Sequence, residues 1–121
     1  MLSILLTLLV LDSLYLGIHY TFFQKVFQNI QHKPLQFRVL PAIFVYVCLT
    51  FFVYKLLYYR VSDIDAFLLG ASVYGVYEGT NYATFQSWPP YMFFLDTLWG
   101  GILIYLTMRV QRFLSMSFVL R

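Results

Sequence analysis

Long apolar stretches alternate with short polar ones along this chain. Leu2 to about Phe23 is interrupted by a single charge, Asp12. The segment Gln24 to Arg38 (QKVFQNIQHKPLQFR) is polar and carries Lys25, His32, Lys33 and Arg38. Val39 to about Tyr59 is apolar again, with Lys55 close enough to its end to snorkel. RVSDID follows, in which Ser62 or Asp63 suits a helix N-cap. A third apolar stretch, about Ala66 to Phe85, stops at Gln86-Ser87-Trp88-Pro89-Pro90, where a proline fits the first turn of the next helix. The fourth runs from about Met92 to Val110 and leads into a tail with Arg109, Arg112 and Arg121. A helix needs about 20 residues to cross roughly 30 Å of hydrocarbon, and each stretch supplies them. Membrane strands would alternate apolar and polar residues, and Ile43-Phe44-Val45-Tyr46-Val47-Cys48-Leu49 does not. The pattern predicts an all-α integral membrane bundle of four transmembrane helices, about 2–23, 39–59, 66–85 and 92–110. It forms one domain over residues 1–121, without repeats or linkers.

Composition strengthens this assignment. The chain is 61% hydrophobic and 11% charged, whereas a soluble domain is about 25% charged. Thirteen charged side chains, eight basic and five acidic, are too few to solvate a globule of this length. An aromatic content of 21% excludes a disordered chain. The first stretch does not read as a signal peptide, because no basic residue precedes it, Asp12 interrupts it and no small-residue cleavage site follows. The net charge of +3 comes from Lys and Arg at the ends of spans, where orientation and lipid headgroups explain them. Nucleic acid is therefore not an expected partner; a lipid bilayer is, with a homo-oligomer or a larger membrane-protein complex. Lys55, Arg60, Arg109, Arg112 and Arg121 fall on one side, against Lys25, Lys33 and Arg38 on the other. That count places both termini in the cytoplasm, although the first span alone, with three cations after it and none before, argues the reverse. Cys48 is the only cysteine, so it forms no intrachain disulfide.

Three acids lie inside expected spans: Asp12, Glu78 and Asp96. An acid at the centre of a bilayer costs about 2.5–3.5 kcal/mol on insertion scales, so each must face the bundle interior and find a partner. Their depths agree. Asp12 is near mid-span, Asp96 is about one turn into the fourth helix, and Glu78 lies roughly 10 Å before the end of the third. All three fall in the middle or towards the first and third loops, so they are expected to converge on one polar pocket. Asp12, Tyr15 and His19 share a stripe on the first helix, and Tyr74, Tyr77, Glu78, Asn81 and Tyr82 share one on the third. Asp96, Trp99 and Gly100 lie together on the fourth. Beside the third-helix stripe run Ala71, Gly75, Gly79 and Ala83, a small residue at every fourth position that invites a neighbouring backbone to approach. Arg38 and His19 are the natural counter-charges.

Two accounts of these acids stand side by side. In one they are structural, protonated or hydrogen-bonded across helix contacts. In the other Asp12, Tyr15, His19, Tyr74, Glu78, Asn81, Asp96 and Trp99 hold a proton, a cation or a polar headgroup. Catalytic signatures are thin. Two histidines cannot build a multi-histidine iron site, no Glu-x-x-His pair suits a ferritin-like centre, and Ser72 lacks the surroundings of a hydrolase elbow. No catalytic residue, metal or cofactor is expected, and an enzyme is the least favoured class.

Several motifs occur in order: Asp12-Ser13-Leu14-Tyr15-Leu16-Gly17, Leu40-Pro41-Ala42, Tyr74-Gly75-Val76-Tyr77-Glu78-Gly79-Thr80-Asn81-Tyr82-Ala83-Thr84, Ser87-Trp88-Pro89 and Asp96-Thr97-Leu98-Trp99-Gly100. Together they resemble the predicted membrane-protein family catalogued as domain of unknown function 2177, over essentially the whole chain. Glu78 stands where that pattern has Asp, and Tyr15 where it has Trp. The resemblance implies four helices and a bacterial or large-DNA-virus setting, and it brings no biochemical activity. A viral version would serve a virion's internal membrane or a host membrane, as a structural subunit in which the acids only lock helices.

Overall fold

The computed structural model describes residues 1–33 and 38–119; Arg121 and positions 34–37 of the first loop lie outside them. The described residues form five helices: α1 (Leu2–Ile18), α2 (Tyr20–Gln31), α3 (Val39–Tyr58), α4 (Asp63–Thr84) and α5 (Pro90–Val119). The architecture is all-α, as the apolar pattern requires. Among the described residues, α3 and α5 are each long and apolar enough to cross a membrane, and α1 with α2 adds a third candidate as one bent unit. At 22 residues α4 is long enough, about 33 Å at 1.5 Å per residue. Its acids, glycines and Asn81 keep it below the hydropathy of a span.

The single helix expected over 2–23 is instead broken at His19, where the chain turns through 74°. Phe22 and Phe23 prolong the charge-free run in sequence, yet they belong to the next helix. Phe22, Phe23, Val26, Phe27 and Ile30 recur at helical spacing and pack together, while Lys25, Gln28 and Asn29 are exposed. The polar segment after residue 23 is thus an amphipathic helix lying across one end of the bundle, and it ends at His32 in the left-handed conformation.

Local signals explain the other ends. The Ser62 side chain accepts the Asp65 backbone N–H at 3.3 Å, and Asp63 and Asp65 complement the N-terminal dipole of α4. Pro90 is the first residue of α5. Arg112 binds both Asp63 and the Val61 carbonyl oxygen, and Arg109 reaches Asp63 at 3.3 Å. These bonds fasten the far half of α5 to the turn before α4.

Two apolar clusters organise the interior. Near the N-terminal end, Ile4 and Leu8 of α1 pack on Leu49, Val53 and Leu56 of α3 and on Leu103, Ile104 and Met108 of α5. At the opposite end, Tyr15, Phe23, Val26, Trp88 and Met92 form the second cluster under α2. The outer faces are oily: Leu40 is 80% exposed and Phe44 70%, with Ile43, Val47 and Phe51 beside them on α3. Such a face is stable only against lipid or another apolar surface.

The closest helix approach is between α4 and α5. A Cβ on Gly70 would lie within 2.8 Å of the Gly100 carbonyl oxygen and of Ile104, and one on Gly100 would overlap the Tyr74 side chain. Gly101 is equally tight against Phe67. The stripe Ala71, Gly75, Gly79, Ala83 lies beside this contact. Cβ atoms on Gly75 and Gly79 would sit at ordinary distances, 3.5 Å from Thr97 and 3.7 Å from Phe93, and Ala83 is exposed. By contrast α3 packs chiefly on α1 and leaves a crevice of about 370 Å³ against α4. Gly70→Ala and Gly100→Ala should therefore each destabilise the protein by about 1–3 kcal/mol. Gly75→Ala and Gly79→Ala should stay within about 0.5 kcal/mol. Reversible unfolding in mixed micelles measures both; equal losses in the two pairs would refute this division.

Candidate functional site

Between the two apolar clusters, α1, α3, α4 and α5 and the turn before α5 contribute to one polar network. Asp12 is buried and accepts two bonds, from the Tyr46 hydroxyl of α3 and from Trp99 Nε1 of α5, the latter at 3.0 Å. The Tyr15 hydroxyl, one turn beyond Asp12, donates to Asp96 Oδ1 at 2.8 Å. The Tyr15 ring stacks on Trp99 with centroids 4.5 Å apart and planes 7° from parallel. That stack joins the Asp12 half of the network to the Asp96 half. Glu78 is fully buried and accepts from Trp88 Nε1 at 2.8 Å.

Asp96 and Glu78 are neighbours in this network. Glu78 Oε1 is nonetheless buried without a donor, and so is the Thr97 hydroxyl. Tyr74, half-buried, lines the α3–α4 crevice with Tyr77 and Asp96. One carboxylate of the network therefore borders a lateral opening between helices.

Of the residues singled out in the sequence, Asp12, Tyr15, Tyr74, Glu78, Asp96 and Trp99 come together. Asn81 lies near Tyr77 and makes no hydrogen bond to an acid among the described residues. His19 marks the bend, its Nδ1 3.0 Å from the Tyr15 carbonyl oxygen and its ring against Tyr15 at 4.7 Å. Arg38 is exposed at the start of α3. Neither expected counter-charge meets an acid; among the described residues, ion pairs occur only at Asp63. The acids are instead held by neutral phenol and indole donors. Two of these, Tyr46 and Trp88, are not among the site residues expected from the sequence. The signal available was the demand itself, since three buried acids need more donors than Tyr15 and Trp99 supply. Among the described residues no three His, Cys, Asp or Glu side chains gather closely enough to hold a metal ion. The acids are strung along a path and do not surround a point.

A family model described as "Predicted membrane protein (DUF2177)" matches residues 1–111, and the chain belongs to that family. No curated protein and no solved structure matches it.

The two bonds to Asp12 tie α1 to α3 and α5. Tyr46→Phe should lower stability by about 1–2 kcal/mol, the range for interhelical bonds and bonds to charged groups. In an Asp12→Asn background the same substitution should cost less, so the losses combine to less than their sum. Strict additivity would show that the Tyr46–Asp12 bond does not carry the coupling.

Proposed function

We propose that this chain is a multi-pass protein crossing the bilayer four times, through α1, α3, α4 and α5, with α2 in the interface at one end. Within it, the Glu78–Asp96 pair is a buried acidic site for a proton or for the cationic head of an amphiphile entering between α3 and α4. The observation that carries this is the donorless Glu78 Oε1 beside Asp96, whose carboxyl borders the crevice. An acidic pair held by neutral donors alone retains an unmet need for a proton or a positive group. Asp12, with two donors, serves a different purpose: it is the structural lock of the same network. The notion of acids that only fix helices is thus favoured for Asp12 and disfavoured for Glu78.

For the four-span topology, support comes from the length of α4 and from Glu78 facing inward, which removes the costliest group from lipid. Lys55, Arg60, Arg109 and Arg112 gather at one end, against Lys25, Lys33 and Arg38. The positive-inside preference puts that first end in the cytoplasm.

Dicyclohexylcarbodiimide, an apolar reagent, adds to protonated carboxyl groups reached from lipid. Purified protein should take up one adduct on the Glu78–Asp96 pair, faster as pH falls, because only the protonated form reacts. Glu78→Gln and Asp96→Asn should reduce labelling at least about tenfold, whereas Asp12→Asn should leave it nearly intact. Absent labelling, or labelling indifferent to the first two substitutions, sinks the site.

In a Cys48→Ser background, cysteines introduced at the exposed Tyr59 and Gln86 positions should react with a membrane-impermeant maleimide from opposite sides. Reaction from one side would make α4 re-entrant and remove the four-span count.

A further inference from the structure

At the end opposite α2, the turn between α3 and α4 and the far half of α5 enclose an open cleft of about 860 Å³. Tyr54, Tyr58, Arg60, Ser62, Asp63 and Arg112 provide its polar lining, and Met1 and Leu57 provide an apolar wall. Asp63 is already held between Arg109 and Arg112. Arg112 is further engaged by the Val61 carbonyl oxygen. Arg60 differs from both: its side chain is exposed and makes no ion pair or hydrogen bond among the described residues. It follows α3 in the left-handed conformation, φ 54°, which sets it at the rim of the cleft. Lys55 adds charge nearby, its ammonium over the Phe51 and Tyr58 rings at 5.6 and 5.5 Å.

We propose that this cleft binds a phosphate ester, with Arg60 as the free cation and the Arg112 guanidinium and Ser62 and tyrosine hydroxyls around it. Guanidinium groups match phosphate oxygens in a forked geometry, and hydroxyls supply single donors. Two sources present that chemistry: the headgroup of an anionic phospholipid and a soluble phosphate ester. The apolar wall and the tyrosines beside the cleft favour the lipid, whose glycerol and first acyl carbons would lie on Met1 and Leu57. Tyrosines and basic residues at a helix end are also the side chains that settle at headgroup depth. This site is separate from the Glu78–Asp96 pair in place, in charge and in the ligand it selects.

The full chain in phosphatidylcholine nanodiscs doped with phosphatidylglycerol tests it, with retained lipid counted by native mass spectrometry. Wild-type protein should retain phosphatidylglycerol in preference to phosphatidylcholine. Arg60→Asn, which removes the charge and suits a left-handed backbone position, should lower that preference about five-fold. Arg60→Lys should restore most of it, and Lys25→Gln at the opposite end should change nothing. Unchanged retention in Arg60→Asn, or an equal loss in Lys25→Gln, overturns the site. Saturable binding of glycerol 1-phosphate to protein in pure phosphatidylcholine discs, lost in Arg60→Asn, would assign the cleft to soluble esters and overturn the lipid source.

Discussion

A buried carboxyl group in a lipid-facing bundle has to find its donors within the protein, because hydrocarbon offers none. That constraint organises this molecule. Asp12 on α1 draws donors from α3 and α5, Asp96 on α5 draws one from α1, and Glu78 on α4 draws one from the turn before α5. Each of the four long helices is tied into the network by at least one of these bonds. Three of the bonds join residues 34, 81 and 87 positions apart, so they form only after the helices have docked. Aromatic donors suit this task. A tyrosine or tryptophan fills apolar space with its ring and delivers one polar atom at the far edge. Arginine or lysine would bring a second charge to be desolvated.

The strength of the helix contacts is uneven, and the unevenness places the opening. Gly70, Gly100 and Gly101 let α4 and α5 approach until no Cβ would fit, giving one stiff hairpin. Against it, α3 is held through α1, by Leu49, Val53 and Leu56 and by the Tyr46–Asp12 bond. The seam between α3 and α4 is sparsely packed, and Asp96 lies along it. Local opening follows low packing density. On the proposed reading, this seam is the path from lipid to the Asp96 carboxyl.

How much of this was legible in the sequence depends on which physical quantity each feature reflects. The three acids stood out because their cost in lipid is a property of residue type and position along a span. Their mutual proximity followed from span direction and depth. The donors did not stand out: Tyr46 is one of eleven tyrosines in an unbroken apolar run, and its role depends on how α3 is rotated. Small-residue spacing identified a face of α4 without identifying the contact. Gly75 and Gly79 lie at ordinary distances from α5, while the tight approach uses Gly70, offset along the same helix. The end of α1 was hidden for a different reason. Counting charges merges Phe22 and Phe23 with the apolar run before them, whereas helical periodicity assigns them to α2 with Val26, Phe27 and Ile30.

The bend at His19 matters for depth as well as for connectivity. Turned 74° from α1, the amphipathic α2 presents its apolar face to Trp88 and Met92 and its polar face outward. A helix of this kind settles in the plane of the interface. On the four-span arrangement, that fixes the level of everything beneath it. Trp88 Nε1 sits directly under the α2 aromatics, with Phe27 edge-on to its ring at 5.7 Å, and donates to Glu78. Glu78 in turn lies six residues before the end of α4, about 9 Å along the helix axis. On that arrangement Glu78 lies near the α2 end, beneath the cluster that Phe22, Phe23 and Phe27 join, while Asp96 lines the α3–α4 crevice. A group that meets Glu78 and Asp96 in this setting must cross apolar contacts first. The proton and the head of an amphiphile satisfy that condition better than a hydrated metal cation, which would shed its water among phenylalanines.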